Sequence, residues 1–490
     1  MGLSVNLPLR LGRDCYTAGA IVSDYYFSLR GIEEVERRKE VMQECHIRGA
    51  NRLVDLCFAN GGIYIKLGQH VGQLDHLLPQ AYVLTMRENL LDKCPLTSFQ
   101  DICKTFKDDL GQHPNEAFAT FDPSPVASAS LAQVHVAWGH DGKKYAVKVQ
   151  HPGLQDTSAA DILTIEGLVR GVKLLFPSFD YTWLVEEVKE NLPKELDFVN
   201  EARNAERTMR NLASSKSRVR GRVKVPAIDG SLSSSRILTM EFIDGVRVTD
   251  REGLQEIGVD PKEVADLLST TFSEMVFVFG EVHCDPHEAN LLVRNENGRA
   301  ELVLLDHGLY QMIDNDFRHD YAALWHALIF ADEESIKTYS HRMNAGDMYP
   351  FFAAMLTTKP WDEITQQTTD HLKLSGSMEE RDRIQAYAKE YAGEISELLL
   401  RIPRALLLLL KTNDCLRAID RSLGQPINTF KVTARECTRA LAEKRSNRLP
   451  PLVSHAVYYY DVINVEFRLV MLRLFTTWAS VRGWLAQGML

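Results

Sequence analysis

The chain of 490 residues is 45% hydrophobic and 25% charged, an ordinary globular composition that suffices for at least one large core. Its net charge of -10 and pI near 5.9 argue against a nucleic-acid partner, which calls for a basic surface. Eight cysteines without a C-x-x-C pair or zinc-ligand spacing read as reduced, mostly buried thiols and give no secreted disulfide framework.

In chain order, Gly2 follows Met1, but Asn6 stands where N-myristoylation needs Ser or Thr. Arg10 and Arg13 precede the first acid, Asp14, a faint organelle-presequence character. Residues 15–110 read as helical, with a charged stretch Glu33–Gly49 and apolar three- and four-residue steps over Ile63–Asn89. The pattern changes near Glu116. Leu131–Trp138 and Lys144–Gln150 then read as strands joined by the turn Gly139-His140-Asp141-Gly142. Helical spacing returns over Ser158–Arg210. Lys216, Arg218, Arg220, Arg222 and Lys224 alternate with other residues, and on a strand would line one face. A solvated surface strand is the simpler reading, a contact for anionic lipid or phosphate the alternative.

Val223–Ile228 and Arg236–Phe242 read as further strands before a break at Asp244-Gly245. Asp260-Pro261 starts a helix that carries Val264–Phe279. A polar loop over Val282–Asn290 leads into strands Asn290–Val293 and Glu301–Leu305 about an Asn-Gly turn. Everything after Asp314 reads as helix, with a polar break at Ser375-Gly376-Ser377. Leu406–Leu410 is closely flanked by Arg404 and Lys411 and suits a buried core helix; no run reaches the ~18 apolar residues that span a bilayer. The tail Leu452–Leu490 carries Tyr458, Tyr459, Tyr460, Phe467, Phe475, Trp478 and Trp484 among Arg468, Arg473 and Arg482. It reads as a docked helix or as an interfacial membrane contact.

This order predicts a mostly helical α+β fold of the two-lobed protein-kinase type. A helical extension (1–115) precedes an N-lobe with a helical insertion (116–243) and a helical C-lobe (244–490), with a nucleotide between the lobes. Phosphoryl transfer needs charge neutralisation, a metal site and an oriented nucleophile. Lys148, in Tyr145-Ala146-Val147-Lys148-Val149, is a strand lysine that needs an anionic partner if buried. Asp285 and Asn290, five apart in His283–Asn290, have the catalytic-loop spacing: Asp285 for the nucleophile, Asn290 for magnesium. Asp306, in Leu305-Asp306-His307-Gly308, stands where a D-F-G aspartate binds the magnesium that bridges the phosphates. Each motif alone is common in turns and strand ends; their order is not. Met240, Glu241 and Phe242 end a strand where backbone amides would meet an adenine edge, with core packing an equal reading for Met240.

A family pattern accounts for the missing G-x-G-x-x-G. Ala127-Ser128-Ala129-Ser130 resembles the alanine-rich nucleotide loop of the UbiB/AarF-domain atypical kinases. Lys66-Leu67-Gly68-Gln69 looks like that family's K-x-G-Q signature, and Glu195-Leu196-Asp197 with Asn200-Glu201-Ala202 resembles its E-x-D and N-E-A elements. Leu304–Gln311 is similar to a mitochondrial branch with His for Phe. The resemblance implies a kinase or ATPase using ATP and Mg2+. It implies that Lys66, Gln69, Glu195 and Asp197 lie over the place where a peptide docks, and that Glu201 partners Lys148, with Glu195 next in line. With no A-P-E segment after Asp306, it favours a lipid-like or quinone-like substrate or ATP hydrolysis, at a mitochondrial or plastid membrane. One departure stands out: Glu288-Ala289 replaces the family's Pro-Gly, which adds a carboxylate and removes a flexible residue.

Overall fold

Period-two patterning in Leu131–Trp138 and Lys144–Gln150 folds as paired strands in the computed structural model. The structure describes residues 7–72, 78–90, 96–175, 181–365, 398, 401–446, 450, 452–453, 455–467 and 470–471. It has two compact units: Met1–Glu206 with Pro226–Ile243 and Asp306–Leu309, and Arg207–Val225 with Asp244–Leu305 and Tyr310–Leu490.

In the first unit, β1 (Thr120–Phe121), β2 (Ala127–Ser128), β3 (Ala132–Trp138), β4 (Lys144–Gln150) and β6 (Ile237–Glu241) form an antiparallel sheet. The β3–β4 turn needs Gly142, which sits at φ 78° and donates to Gly139 O. One sheet face packs Ala137, Val147, Val149 and Ile237 against Ile102 and Phe106 of α5 (Phe99–Leu110), with Phe118 and Phe121 beyond α6 (Pro114–Ala117). Truncating fully buried Phe106 to Ala would remove about 3–5 kcal/mol. Alternation puts Lys148 on the other face, with Ala132, Leu238 and Met240.

Besides α5 and α6, the helices described in this unit are α1 (Leu7–Leu29), α2 (Val35–Asn60), α3 (Ile63–Gly72), α4 (Gln80–Leu90), α7 (Leu154–Leu175), α8 (Thr182–Glu195) and the start of α9 (Phe198–Ala213). Ile63–Asn89, expected as continuous helical spacing, is two helices, with 73–77 outside the described residues. The two early arginines are both engaged by folded partners. Arg10 is buried and pairs with Asp161 of α7 at 2.5 Å; Arg13 donates to Ala59 O at 2.7 Å.

In the second unit, β5 (Val223–Lys224), β7 (Val246–Arg247), β9 (Leu291–Glu296) and β10 (Arg299–Leu304) form a sheet of order β5-β10-β9-β7, and β8 (Glu281–His283) pairs with β11 (Tyr310–Met312). The β9–β10 hairpin turns at Asn297 (φ 55°) and Gly298 (φ 81°), the left-handed pair that Asn-Gly supplies. Behind it lie α10 (Arg251–Glu256) and α11 (Pro261–Glu274), the latter capped by Asp260, whose side chain accepts from Lys262 N. A π-helical turn, Met275–Phe279, continues α11. Further helices among the described residues include α12 (Asn315–Ile329), α13 (Glu333–Arg342), α14 (Tyr349–Thr357), α15 (Trp361–Thr365), α16 (Arg404–Ser422) and α17 (Thr429–Ser446), and 455–467 is helical as well. The leucine block is buried in α16, and no described helix is long and apolar enough to cross a membrane.

Two expected strands are corrected. Lys216–Arg222 is a series of turns, with Gly221 at φ 72°, so its charges do not share a strand face. Ser217 and Val219 point inward instead, while Lys216, Arg218 and Arg222 pair with Glu443, Glu436 and Glu263. Val223–Ile228 contracts to β5 and an isolated bridge, Ile228 to Met240, since Pro226 between them has no amide to donate. In the tail, Arg435 and Arg445 of α17 pair with Glu466 and Asp461, while Tyr459, Tyr460 and Phe467 are exposed. Arg468, Arg473, Phe475, Trp478, Arg482 and Trp484, and the Ser375–Ser377 break, lie outside the described residues, as do Gly2 and Asn6.

Candidate phosphotransfer site

Strand β4 and helix α9 meet the segment after β10 at one cation. Lys148 Nζ lies 2.8 and 2.9 Å from the two Glu201 oxygens and 2.8 Å from Asp306 Oδ2. Glu201 is 1% exposed and the Lys148 side chain 15%, whereas Asp306 keeps 29% of its side chain open. Burial opposes the lysine's charge, but Asp306 and Glu201 outweigh it and hold Lys148 above its ordinary value. Burial likewise opposes ionisation of Asp306, yet Lys148 keeps its carboxyl well below the usual range. For Glu201 burial wins over Lys148 and lifts the carboxyl above that range. The three groups therefore form a coupled cluster whose charges depend on each other.

Helix α9 fixes the Asp306 segment at two points. Glu201 Oε1 accepts from His307 N at 3.4 Å, and Asn204 Nδ2 donates to His307 O at 3.0 Å. Sequence reasoning missed Asn204. Its position three residues after Glu201, on one helix face, was the available signal. Asp306 Oδ1 also accepts from Gly308 N at 3.0 Å, and Gly308 does not need a positive φ, so glycine flexibility is not what this turn uses.

The K-x-G-Q helix makes a second ion pair. Lys66 Nζ lies 2.7 Å from Glu195 Oε2, and His70 Nε2 lies 3.6 Å from Oε1. Burial raises the Glu195 carboxyl, but Lys66 and His70 pull it down to about 2. Glu201, not Glu195, is thus the carboxylate on Lys148. Gln69 donates to Leu90 O at 2.9 Å and so ties α3 to α4. Gly68 permits that approach: a Cβ there would stand 2.1 Å from Leu90 Cδ1 and 3.3 Å from Cys57 Sγ and Met86 Sδ. Asp197 is not drawn into either cluster; it opens α9, accepting from Val199 N at 3.0 Å.

The alanine-rich loop is held as a tight turn. Ala127 and Ser128 pair with β3, Ala129 N donates to Ala132 O at 2.8 Å, and Ser130 is 3% exposed. None of these residues has positive φ, so alanine and serine fit where a glycine loop is usual. The expected adenine contacts at Glu241 and Phe242 need correction. Glu241 N already donates to Ala227 O at 2.8 Å and Phe242 N to Lys144 O at 3.2 Å. Met240 is 7% exposed and packs with Ala132, Phe198 and Leu238, the core reading.

In the second unit, β8 delivers the loop His283–Asn290. Asp285 is 9% exposed, and Lys411 Nζ of α16 stands 3.4 Å from its Oδ1. The Lys411 side chain is 4% exposed, so this charge contact is desolvated. No local motif announces Lys411, which arrives from the leucine-rich helix. Asn290 Nδ2 donates to Asp285 O at 3.3 Å, closing the loop, and His287 caps its final turn through Ala289 N. Glu288 is exposed, and neither it nor Ala289 has positive φ, so the loop accepts Ala in place of Gly without strain.

Among the described residues no group of three or more His, Cys, Asp or Glu could hold a metal unaided. A nucleotide-borne magnesium needs only one or two protein oxygens beside phosphates and water, and the partly open Asp306 carboxylate fits that donor set.

Comparison with known proteins decides the family. Residues 89–340 match the model of the ABC1 atypical kinase-like domain. A putative ABC1 protein of Arabidopsis thaliana is 45% identical over 489 residues, covering 97% of this chain and 91% of that one. The chain belongs to the ABC1 atypical kinase-like family. Two vertebrate relatives, each named AarF domain-containing protein kinase 1, agree. The Xenopus laevis protein is 44% identical (95% of this chain, 88% of that one), the mouse protein 42% (98% and 92%). A solved Mycobacterium tuberculosis protein in complex with erythromycin aligns at 20% identity and TM-score 0.45, covering 80% of this chain and 95% of that one. The ABC1 chain has the mostly helical α+β, kinase-like fold that the motif order implied.

Proposed function

We propose that this ABC1-family chain binds magnesium-ATP and moves its terminal phosphoryl group, to a small hydroxyl-bearing molecule or to water. The observation that carries the reading is the contact of Lys148 with Glu201 and Asp306 at 2.8–2.9 Å. A lysine clamped by a fully buried carboxylate is a fixed cation for phosphate oxygens, and phosphoryl transfer depends mostly on such positioned charge. Asp306 and Asn290 would hold magnesium, which when bound neutralises charge on the β- and γ-phosphates. Asp285 would orient the nucleophile and accept its proton, steadied by Lys411.

The missing A-P-E segment and the Lys66–Glu195 pair support a small-molecule substrate over a peptide. The reading extends to a lipid-like or quinone-like partner and peripheral contact with a mitochondrial membrane, with a plastid as the alternative; the family resemblance supports that part. ATP hydrolysis and phosphate transfer, measured with and without liposomes and quinone-headgroup analogues, test it. Turnover that disappears in Lys148→Ala and Asp306→Asn supports the reading, and turnover unchanged in both contradicts it.

A second reading, a nucleotide-binding scaffold for a lipid-handling complex without turnover, is favoured by Glu288, whose carboxylate adds negative charge to the Asp285–Asn290 loop. Full function of an Asp285→Asn variant in cells would select the scaffold.

A further inference from the structure

The second unit contains a cavity of about 120 Å³ between α11, α12, α16 and α17. Helical periodicity builds its wall. On α16, Asn413, Leu416, Arg417 and Asp420 recur at three- and four-residue steps and line it. Tyr321 and Trp325, one turn apart on α12, and Phe430 of α17 add aromatic faces. Voids larger than a water are few in protein interiors, and one with polar groups on its wall holds water or a ligand.

One group on this wall is left unserved. Asp420 is 6% exposed, and no described residue donates to its Oδ1. It stands in the last turn of α16, the negative end of the helix dipole, which favours cations over carboxylates. Arg417 is its neighbour by helical spacing, yet pairs with Asp414 at 3.0 Å and donates to Leu356 O. Burial lifts the Asp420 carboxyl to about 6, the charge of Arg421 opposing it, so most of it is ionised at neutral pH. A buried carboxylate without a donor, at the unfavourable end of a helix, lowers stability on each count. Groups that bind ligands are where folds tolerate such losses.

The chemistry of the wall narrows the occupant. Asp420 calls for a cationic donor, and the rings of Tyr321, Trp325 and Phe430 suit an ammonium group or its hydrocarbon neighbour. A simple amine, however, would also meet Arg417, Arg421 and Lys359, which line the same space. An acid at the other end of the molecule turns that repulsion into attraction. Arg417 can receive it: a guanidinium has five N–H groups, and Asp414 and Leu356 O engage two. Side chains three apart on a helix have Cβ atoms about 5–6 Å apart, a span that a short molecule bridges. An apolar cavity of about 150 Å³ admits benzene, so this one takes about half a dozen heavy atoms. We propose that the cavity binds a small amino acid, its ammonium on Asp420 and its carboxylate on Arg417. None of these residues belongs to the Lys148 cluster or to the Asp285–Asn290 loop, so the site stands or falls apart from the phosphotransfer reading.

Calorimetry on the full chain at neutral pH with β-alanine, glycine and alanine, and with the single-ended analogues propylamine and propanoate, tests it. At least one of the three amino acids is expected to bind saturably and at least tenfold more tightly than either analogue. Asp420→Asn removes the charge and keeps the shape. This variant is expected to melt no lower than the parent and to bind that amino acid at least tenfold more weakly. Thermal unfolding gives a second readout: the amino acid should raise the Tm of the parent and leave that of Asp420→Asn unchanged. No saturable binding of any of the three, which would mean that water alone fills the cavity, would overturn the proposal. So would equal binding of propylamine, or undiminished binding by Asp420→Asn.

Discussion

Lys148 Nζ stands 2.8 Å from Asp306 Oδ2, although 158 positions separate them in the chain. With Glu201 on its other side, the lysine neutralises a carboxylate that has almost no access to water. Without the lysine the Glu201 carboxyl, already lifted by burial, folds by taking up a proton, which costs free energy at neutral pH. Lys148→Ala is therefore expected to lower stability by about 3 kcal/mol, read from urea unfolding. Glu201→Gln in the same background should restore part of the loss, because no proton then has to be taken up on folding. No recovery in the double variant would mean that Lys148 acts through packing alone.

The Lys66–Glu195 pair gives a pH dependence of definite sign. Lys66 and His70 hold Glu195 at about 2 against burial, below its unfolded value of 4.5. A depressed carboxyl contributes stability that is fully present above the unfolded value and is lost as pH falls from about 4.5 toward 2. The contribution at neutral pH is about 3 kcal/mol. Thermal unfolding should thus separate the parent from Glu195→Gln at pH 6, with the gap narrowing below pH 4.5 and closing only near pH 2. A gap that stays constant across that range would refute the assignment.

Gly68 is expected to tolerate no side chain cheaply. A Cβ would overlap Leu90, which is itself fully buried and has Cys57 and Met86 around it. Gly68→Ala should cost about 1–3 kcal/mol and loosen α3 against α4, seen as faster amide exchange in both helices. Unchanged stability would show that the Leu90 side chain rotates away freely.

Lys411 is expected to act as a positioning residue for Asp285. Lys411→Ala should lower kcat about 10- to 100-fold while leaving nucleotide affinity within a factor of two to three. Lys411→Arg, which restores the cation, should recover much of the rate. Equal losses in the alanine and arginine variants would indicate a purely structural lysine.

The elements that local chemistry specifies were legible in the sequence. Strands β3 and β4 follow from alternation around an Asp-Gly turn, and the β9–β10 turn from Asn297-Gly298. Lys148 and Asp306 could be anticipated because each carries its own local pattern in a telling order, whereas Glu201 as the partner of Lys148 came from the family resemblance. Lys411 could not, because it comes from a leucine-rich helix with no motif and reaches Asp285 only through tertiary packing. The bonding of the Glu241 and Phe242 amides is a property of strand and loop neighbours, which a single segment does not encode. The alternating charges of Lys216–Lys224 mimicked a strand, but Gly221 turns the chain and Ser217 bonds Glu274 instead. The cavity of the second unit was also invisible, since α11 and α16 each look like ordinary amphipathic helices and only their arrangement leaves a space.

The most direct measurement is the magnesium dependence of ATP affinity, by calorimetry on the full chain and on Lys148→Met and Asp306→Asn. The account predicts saturable binding that requires magnesium in the parent and is weakened at least 100-fold in each variant, both of which stay folded by circular dichroism. Equal affinity in all three proteins, or affinity indifferent to magnesium, would contradict it.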